Sequence, residues 1–280
     1  RRFTPPQLRL LVACGAAAGI ASAYNAPIAG SFFVAEIILG SIAMESLGPL
    51  AVAAVVAALT VRGLTNAAQL YQVPAFRLQS PWEMGPYILL GLIAGIVAPW
   101  FLRSLRGSER LFIATKLPRT ARLALGGIMV GALAISVPEV CGNGYSVVVD
   151  ILNGNLGGMV AGLHLPERHL LWVALALVFA CKWIATAASF GSGAPGGVFT
   201  PSLFMGASTG YLFGTAVNAV WPAGAPDPGA FALVGMGAFL SAATRAPVMA
   251  VILLFEMTLS YDIILPLLLC SVLAYYTAKG

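Results

Sequence analysis

Two segments that lie 220 residues apart in this chain carry the same pattern of small residues, proline and glutamate. In each copy, over residues 15–36 and 235–256, an Ala- and Gly-rich stretch breaks at Ala-Pro, and a short apolar stretch then ends at a lone glutamate. Proline is favoured at the first position of a helix, so each copy predicts a long helix, a break and a short helix. This duplication predicts a fold built from two structural repeats, with a binding site where they meet. The shared positions are Gly15, Ala18, Ala23, Ala26, Pro27 and Glu36 in the first copy and Gly235, Ala238, Ala243, Ala246, Pro247 and Glu256 in the second.

Apolar stretches separated by short polar or Pro/Gly breaks occupy most of the sequence. Apolar residues form 59% of the 280 positions and charged residues only 9%, whereas soluble domains carry about 25% charged residues. Such a surface suits lipid, where helices satisfy their own backbone groups. We therefore predict an all-α polytopic membrane protein with about eight to ten membrane-embedded helices. The predicted helices run near 7–24, 27–40, 47–62, 85–106, 120–136, 143–153, 170–189, 198–219, 229–243, 247–258 and 262–278.

Two of the predicted helices, 27–40 and 247–258, are too short to cross a bilayer of about 30 Å. Short apolar segments interrupted by Pro or Gly are typical of transporters, in which broken helices line a buried polar pathway. The four cysteines are widely separated and are expected to be small core residues, not metal ligands or disulfides. No metal and no cofactor is expected.

The net charge of +5 is concentrated in two basic clusters, residues 1–9 and 103–122. Short segments rich in Lys and Arg remain on the cytoplasmic side of a membrane. We therefore expect a multi-pass protein of the cell (inner) membrane, surrounded by membrane lipid, with both clusters cytoplasmic and no nucleic-acid partner. The clusters contain Arg1, Arg2 and Arg9, and Arg103, Arg106, Arg110, Lys116, Arg119 and Arg122, with Glu109 among the second group.

The strongest local signal is a glycine-rich segment, residues 189–201, that lies between two apolar helices and contains no charged residue. A helix that starts near Val198 leaves its first amide N–H groups unpaired at the positive end of its dipole. A partly dehydrated anion would satisfy these groups, and neutral donors would also release it readily. On these residues alone, a glycine-rich helix crossing or hinge remains an alternative. No Gly-Lys-Ser/Thr follows, so the segment is not a Walker phosphate loop.

The motif at 191–201 resembles the anion-binding G-x-F-x-P motif of the CLC family of chloride channels and chloride/proton exchangers. The segments 15–30, 244–247 and 255–258 are similar to elements of the same family, and together the matches run over about residues 10–278. The resemblance implies the family's inverted-repeat fold with broken and tilted helices. It also implies anion binding at Gly197, Val198 and Phe199, through backbone amides. A homodimer with one anion pathway per subunit is implied too, in contact through the helices near 27–40, 47–62, 247–258 and 262–278.

Three departures from the family pattern bear on these expectations. The family's serine motif and gating-glutamate motif are expected upstream of residue 1, and its central tyrosine after Gly280. We therefore expect residues 1–280 to be a partial CLC transmembrane domain without a soluble domain. In it, 1–62 would end the first repeat, and the second would run from about 85 to 280. The position of the internal proton-transfer glutamate of exchangers is Ile37 here, next to Glu36.

The sequence leaves the mode of transport open. Chloride/proton antiport with an atypical internal proton route is favoured, a passive chloride channel is the alternative, and a secondary transporter of another small solute is a remote one. Glu36 is either an internal proton acceptor or a structural carboxylate at the membrane edge. Lys182 either adds positive potential near the anion motif or extends to a membrane interface, and Arg245 is expected to anchor a helix junction.

An enzyme is not expected. A serine nucleophile at Ser192 would need a base within hydrogen-bonding reach. The two histidines, His164 and His169, precede the helix predicted near 170–189 and lie outside any apolar span.

Overall fold

A computed structural model describes residues 3–65, 71, 81–157, 171–222 and 226–279. Within these ranges the chain forms helices and no β-strand. His164 and His169, and Arg1 and Arg2 of the first basic cluster, lie outside the described residues. The α-helices are α1 (Pro5–Tyr24), α2 (Pro27–Phe33), α3 (Met44–Thr65), α4 (Met84–Ala114), α5 (Arg119–Ser136), α6 (Tyr145–Leu152), α7 (Leu171–Ser192), α8 (Phe199–Val220), α9 (Pro228–Thr244), α10 (Pro247–Thr258) and α11 (Ile264–Lys279).

All eleven predicted helices are present, and two differ clearly from expectation. The helix predicted near 27–40 is α-helical only to Phe33 and continues as a π-helix, Val34–Leu39, which contains Glu36. The helix predicted near 85–106 extends to Ala114, because the segment 107–114 has no proline and its single glycine does not interrupt the backbone hydrogen bonds. Glu109 and Arg110, whose charges indicated a loop, lie on the exposed side of a continuous helix, whereas the Ser108 hydroxyl donates to the Ala187 carbonyl (2.7 Å) on its packed side.

The two copies of the repeat have nearly identical backbone geometry at their breaks. Asn25 ends α1 in the left-handed conformation, with φ 53° and ψ 35°, and Arg245 ends α9 with φ 61° and ψ 31°. The alanine that follows each break has φ −129°, with ψ 79° at Ala26 and 78° at Ala246. The predicted pattern of long helix, break and short helix is therefore confirmed in both copies. Arg245 is the junction residue itself, and its side chain is exposed.

Helix α9 forms the centre of the larger hydrophobic core, and every residue from Gly229 to Ala242 is buried. It packs closely against α8 because glycines on both helices let the two backbones approach. A Cβ atom added at Gly206 would lie 2.5 Å from the carbonyl oxygen of Gly235. Small residues at such crossings are the usual means of helix association in membranes. This contact holds α8, whose first turn carries the predicted anion site, against the core.

A second, smaller cluster joins α1, α3 and the π-helix. It is built mainly from alanines, among them Ala13, Ala17 and Ala21 of α1, which pack against Ala54 and Ala58 of α3. Because the alanine side chains are short, the helices can approach closely, although each alanine buries little apolar surface.

Within the described residues, five helices are long and apolar enough to cross a membrane, and four apolar helices are shorter. The five are α1, α3, α4, α5 and α7; the shorter ones are Pro27–Leu39, α9, α10 and α11. The chain is thus a multi-pass membrane protein that combines long spans with short helices.

Candidate anion-binding site

The glycine-rich segment connects the end of α7 to the start of α8. Gly193 follows α7 with φ +85°, a conformation that residues with a side chain rarely adopt. Its amide donates to the Phe190 carbonyl (3.1 Å), and that of Ala194 donates to the Ser189 carbonyl (3.3 Å). These bonds close α7, and the following Ala-Pro-Gly-Gly carries the chain to the first turn of α8.

The first turn of α8 presents amide N–H groups without acceptors. Val198 precedes the helix and offers no capping side chain, and the first helical bond runs from the amide of Ser202 to the Val198 carbonyl (2.9 Å). The N–H groups of Val198, Phe199 and Thr200 have no acceptor in the part of the chain that the structure describes. Unpaired amides at the positive end of a helix dipole form a site for an anion.

A cavity of about 250 Å³ adjoins this turn. The glycine-rich segment forms one wall, and α7 and the turn before α6 contribute the others. Gly197 and Val198 are exposed or half-buried, so their backbone can be reached from the cavity. The lining residues are Val130, Val140, Gly142, Lys182, Ala185, Thr186, Ser189, Phe190, Ala194, Pro195, Gly196, Gly197, Val198 and Pro201.

Lys182 is the charged side chain among the residues that line this cavity, and it is only 3% exposed. Its Nζ donates to the carbonyl oxygens of Val140 (2.7 Å) and Gly142 (2.8 Å) and lies 5.7 Å from the ring centre of Phe204. The interpretation that Lys182 extends to a membrane interface is therefore wrong. The two carbonyls and the ring compensate for the burial of its charge, which remains beside the anion motif.

The other side of the α8 start is packed with aromatic rings and one hydroxyl pair. The ring centre of Phe199 lies 4.8 Å from that of Tyr24 and 6.0 Å from that of Phe33. The Tyr24 hydroxyl lies 3.0 Å from the Thr200 hydroxyl. This pair joins the end of α1 to the first turn of α8 across 176 residues of sequence, and nothing in the local sequence signals it.

The glutamates of the two repeats exchange their partners. Glu256, in α10, accepts hydrogen bonds from the amides of Ile28 (3.0 Å) and Ala29 (2.7 Å) in the first turn of α2. Glu36, in the π-helix, accepts one from the amide of Met249 (2.9 Å) in the first turn of α10. Each short helix begins at Ala-Pro without a capping side chain of its own. Each repeat therefore supplies the N-terminal cap of the short helix in the other.

Ile37 adds no ionisable group beside Glu36. Ile37 and Ile38 follow Glu36 in the π-helix and are 38% and 49% exposed. Glu36 is therefore the single carboxylate of this π-helix. At the other end of this short helix, where α2 begins, the guanidinium group of Arg62 in α3 donates to the side-chain oxygen of Asn25 (2.6 Å) and so ties α3 to the break between α1 and α2.

Chemically, the site offers neutral amide donors beside one compensated positive charge. Such a set of donors can accommodate a monovalent anion without a strong ionic bond that would delay its release. Among the described residues, no group of three or more His, Cys, Asp or Glu side chains could hold a metal ion.

Comparison with known proteins gives a consistent result. The sequence profile described as voltage gated chloride channel matches residues 1–279. A ClcB-like chloride channel protein of Ralstonia nicotianae is 53% identical over 273 residues, which make up 98% of this chain and 60% of the relative. The voltage-gated ClC-type chloride channel ClcB of Escherichia coli is 40% identical over 276 residues, which make up 98% of this chain and 63% of that protein.

Solved structures with the same fold include a slow cyanobacterial Cl⁻/H⁺ antiporter, with a TM-score of 0.84 and 28% sequence identity. The alignment covers 99% of this chain and 62% of the antiporter. A eukaryotic CLC transporter has a TM-score of 0.75 at 23% identity, over 98% of this chain and 44% of the transporter, and shows the fold alone.

The chain thus spans about three fifths of the length of these curated relatives, at 60% and 63%. The family profile nevertheless covers the glycine-rich segment, both copies of the repeat and nearly every other residue. On this match, the chain belongs to the voltage-gated chloride channel family, the CLC family.

Proposed function

We propose that the protein to which this chain belongs transports chloride across a membrane and binds the ion at the start of α8. The N–H groups of Val198 and Phe199 are the donors in this proposal, and Gly197 lets the ion approach the backbone. The observation that carries it is the unpaired first turn of α8 beside a cavity with a buried lysine. Both occur in a chain of the CLC family.

Lys182 has a supporting role in this proposal. Two of its three N–H donors are used by backbone carbonyls, so its charge attracts an anion without being free to hold it tightly. In a low-dielectric surrounding, such a charge acts over a longer distance than it does in water. Chloride would therefore be attracted to the cavity and still exchange rapidly between donors.

We further propose that transport is coupled to protons by an atypical internal route. The cyanobacterial neighbour is a Cl⁻/H⁺ antiporter with 28% identity over nearly the whole chain, which supports an exchanger. Ile37 stands at the usual proton-transfer position, and the Glu36 carboxylate already accepts a hydrogen bond as the cap of α10. These two facts favour water as the internal proton carrier. They also favour the second candidate, a passive chloride channel, which agrees with the names of the ClcB relatives.

The proposed assembly is a homodimer formed through α2 with the π-helix, α3, α10 and α11. These helices expose apolar side chains that a partner could cover, among them Ile28 (52%), Val248 (40%) and Leu265 (67%). As proposed, residues 1–62 complete the first repeat, and the second repeat runs from about 85 to the end of the chain. Basic residues at the start of α1 and the end of α4 would lie on the cytoplasmic side of the inner membrane.

The test is a flux measurement on the full-length protein in proteoliposomes, with chloride efflux and proton movement recorded together. Proton movement against its gradient, driven by chloride, is expected for an exchanger. Chloride flux without protons would identify the passive channel. No chloride flux, together with flux of an organic solute, would contradict both. Glu36→Gln and Ile37→Glu then separate the roles of these positions. We expect Glu36→Gln to leave coupling unchanged and Ile37→Glu to raise the ratio of protons to chloride.

The anion site is tested by removing one amide hydrogen. Val198→Pro deletes the N–H group and requires φ at this position, −94°, to shift by about 15° into the range of proline; Gly197 before it tolerates the restriction that proline imposes. A hydrogen bond to a charged group contributes about 1.5–3 kcal/mol, so we expect chloride affinity to fall at least about tenfold. Val198→Ala is the matched control, since it shortens the side chain and keeps the amide. Equal affinities in the two variants would show that this amide does not bind the ion.

A further inference from the structure

The C-terminal part of α4 extends beyond the hydrocarbon layer of a bilayer. The helix has 31 residues, which gives a length of about 46 Å at 1.5 Å per residue, against about 30 Å of hydrocarbon. An untilted helix that enters the layer near Met84 leaves it near Arg103. A tilted helix would leave the layer somewhat later, but charged side chains, which begin at Arg103 in this helix, are costly in hydrocarbon. The end of α4 from Arg103, the following turn and the start of α5 therefore lie at the level of the lipid headgroups or in water.

This part of the molecule carries a cluster of six basic residues, which we call the basic patch. Arg103, Arg106 and Arg110 are exposed and recur at the spacing that places them on one face of α4. Phe101 and Leu105, which are buried, lie on the opposite face. The basic patch comprises Arg103, Arg106, Arg110, Lys116, Arg119 and Arg122.

The charges of the basic patch are not compensated within the described residues. Glu109 is the acidic residue of this segment, and none of the six basic side chains has an ion pair or hydrogen bond to a described residue. Arg122 is half-buried at the start of α5, and its Nε atom is buried without an acceptor. A buried guanidinium N–H group without a partner is costly, so an oxygen ligand at this position would stabilise the fold.

We propose that the basic patch binds the phosphate of anionic phospholipid headgroups. Clusters of four to eight Lys and Arg residues next to the end of a membrane helix attract anionic lipid, and guanidinium groups bind phosphate oxygens in pairs. Trp100 lies one turn before Arg103 and is 63% exposed. An exposed tryptophan at this depth is typical of the membrane interface, which places the arginines at the height of the lipid phosphates.

This inference is independent of the transport mechanism, because the patch lies outside the lining of the cavity beside α8. Its consequence is that the region from α4 to α5 has a preferred lipid contact. Since α4 and α5 both pack on α7, which leads into the glycine-rich segment, lipid binding would also stabilise the support of the anion site.

The experiment compares lipid binding by variants of equal net charge, in the full-length protein. Native mass spectrometry in detergent measures the affinity for phosphatidylglycerol and for phosphatidylcholine. The test variant is Arg103→Gln/Arg106→Gln, and the control is Arg9→Gln/Lys279→Gln, which removes two exposed basic residues elsewhere. Each basic residue near a surface contributes about 1 kcal/mol, or about fivefold in affinity. We expect the test variant to bind phosphatidylglycerol about 25-fold more weakly, and the control, which removes one residue at the cytoplasmic surface (Arg9), to lose no more than about fivefold.

Three results would overturn the proposal. The first is equal binding of phosphatidylglycerol by the test variant and the unmodified protein. The second is an equal loss in the control, which would mean that total charge and not the patch attracts the lipid. The third is displacement of the lipid by millimolar glycerol phosphate, which would identify a soluble phosphate as the ligand. A test variant that elutes as a single species and still moves chloride shows that weaker lipid binding does not come from misfolding.

Discussion

Replacement of Glu256 tests whether the two repeats support each other through their glutamates. The Glu256 carboxylate accepts two hydrogen bonds from the first turn of α2, from the amides of Ile28 and Ala29. Glu256→Ala leaves both amides without an acceptor at the positive end of a helix that has no capping side chain of its own. We therefore expect a lower thermal stability, while the sequence and length of α2 are unchanged.

The magnitude follows from the contacts. A hydrogen bond to a charged group contributes about 1.5–3 kcal/mol. The lower end applies to Glu256, which is half-buried and within reach of solvent, so Glu256→Ala costs about 2–4 kcal/mol. At about 2–4 °C for each kcal/mol, the midpoint of thermal unfolding falls by about 4–16 °C. Glu256→Gln keeps an acceptor oxygen and should lose about half as much.

The assay is thermal unfolding of the purified full-length protein in detergent, followed by the loss of monodisperse protein on size-exclusion chromatography after heating. Glu36→Ala is expected to be the milder change, because Glu36 accepts one well-formed bond, from the amide of Met249, and a weaker one from the amide of Val248. Glu109→Gln, at an exposed site on α4, is the control for loss of charge alone. An unfolding midpoint for Glu256→Ala within 2 °C of the unmodified protein would refute the reasoning. A larger loss for Glu36→Ala than for Glu256→Ala would also refute it.

Three further predictions concern the site and the helix that carries it. Lys182→Met leaves two backbone carbonyls without a donor and removes the positive charge beside the cavity, so chloride flux in proteoliposomes should fall severalfold, whereas Lys182→Arg should retain most of it. Gly210→Leu should abolish the production of folded protein, because the leucine side chain would collide with the backbone of α9. Gly15→Ala is the control: no atom lies within 4 Å of the added Cβ, so this variant should be produced as well as the unmodified protein. Tyr24→Phe removes the hydroxyl contact with Thr200, worth about 1 kcal/mol, and should lower the unfolding midpoint by about 2–4 °C while the aromatic packing on Phe199 is kept.

Much of the fold follows from local features of the sequence. Apolar composition predicts membrane-embedded helices, and the Ala-Pro steps mark where the short helices begin, because proline fits the first helical position and cannot continue a preceding helix. The 220-residue repeat predicted that the breaks after Tyr24 and Thr244 are alike, and their dihedral angles agree within about ten degrees. The glycine-rich segment similarly predicted a helix that starts near Val198 without a cap.

Other features required the tertiary structure. The repeat showed that Glu36 and Glu256 are equivalent, but their partners lie 213 to 228 residues away. The sequence therefore left Glu36 open between a proton acceptor and a structural carboxylate. The structure assigns it a capping bond to α10, a role that depends on how the two repeats pack against each other.

The partners of Lys182 and Tyr24 also could not be predicted from the local sequence. A lysine in an apolar helix can be buried or can extend to the membrane interface. Lys182 is buried because the carbonyls of Val140 and Gly142 lie where they accept its hydrogen bonds. The contact between Tyr24 and Thr200 depends equally on where α1 ends relative to α8. Local sequence thus determined where helices begin, break and end, because backbone preferences act over a few residues. Only the tertiary structure decided which polar groups meet inside the membrane region, because burial there makes each group depend on a distant partner.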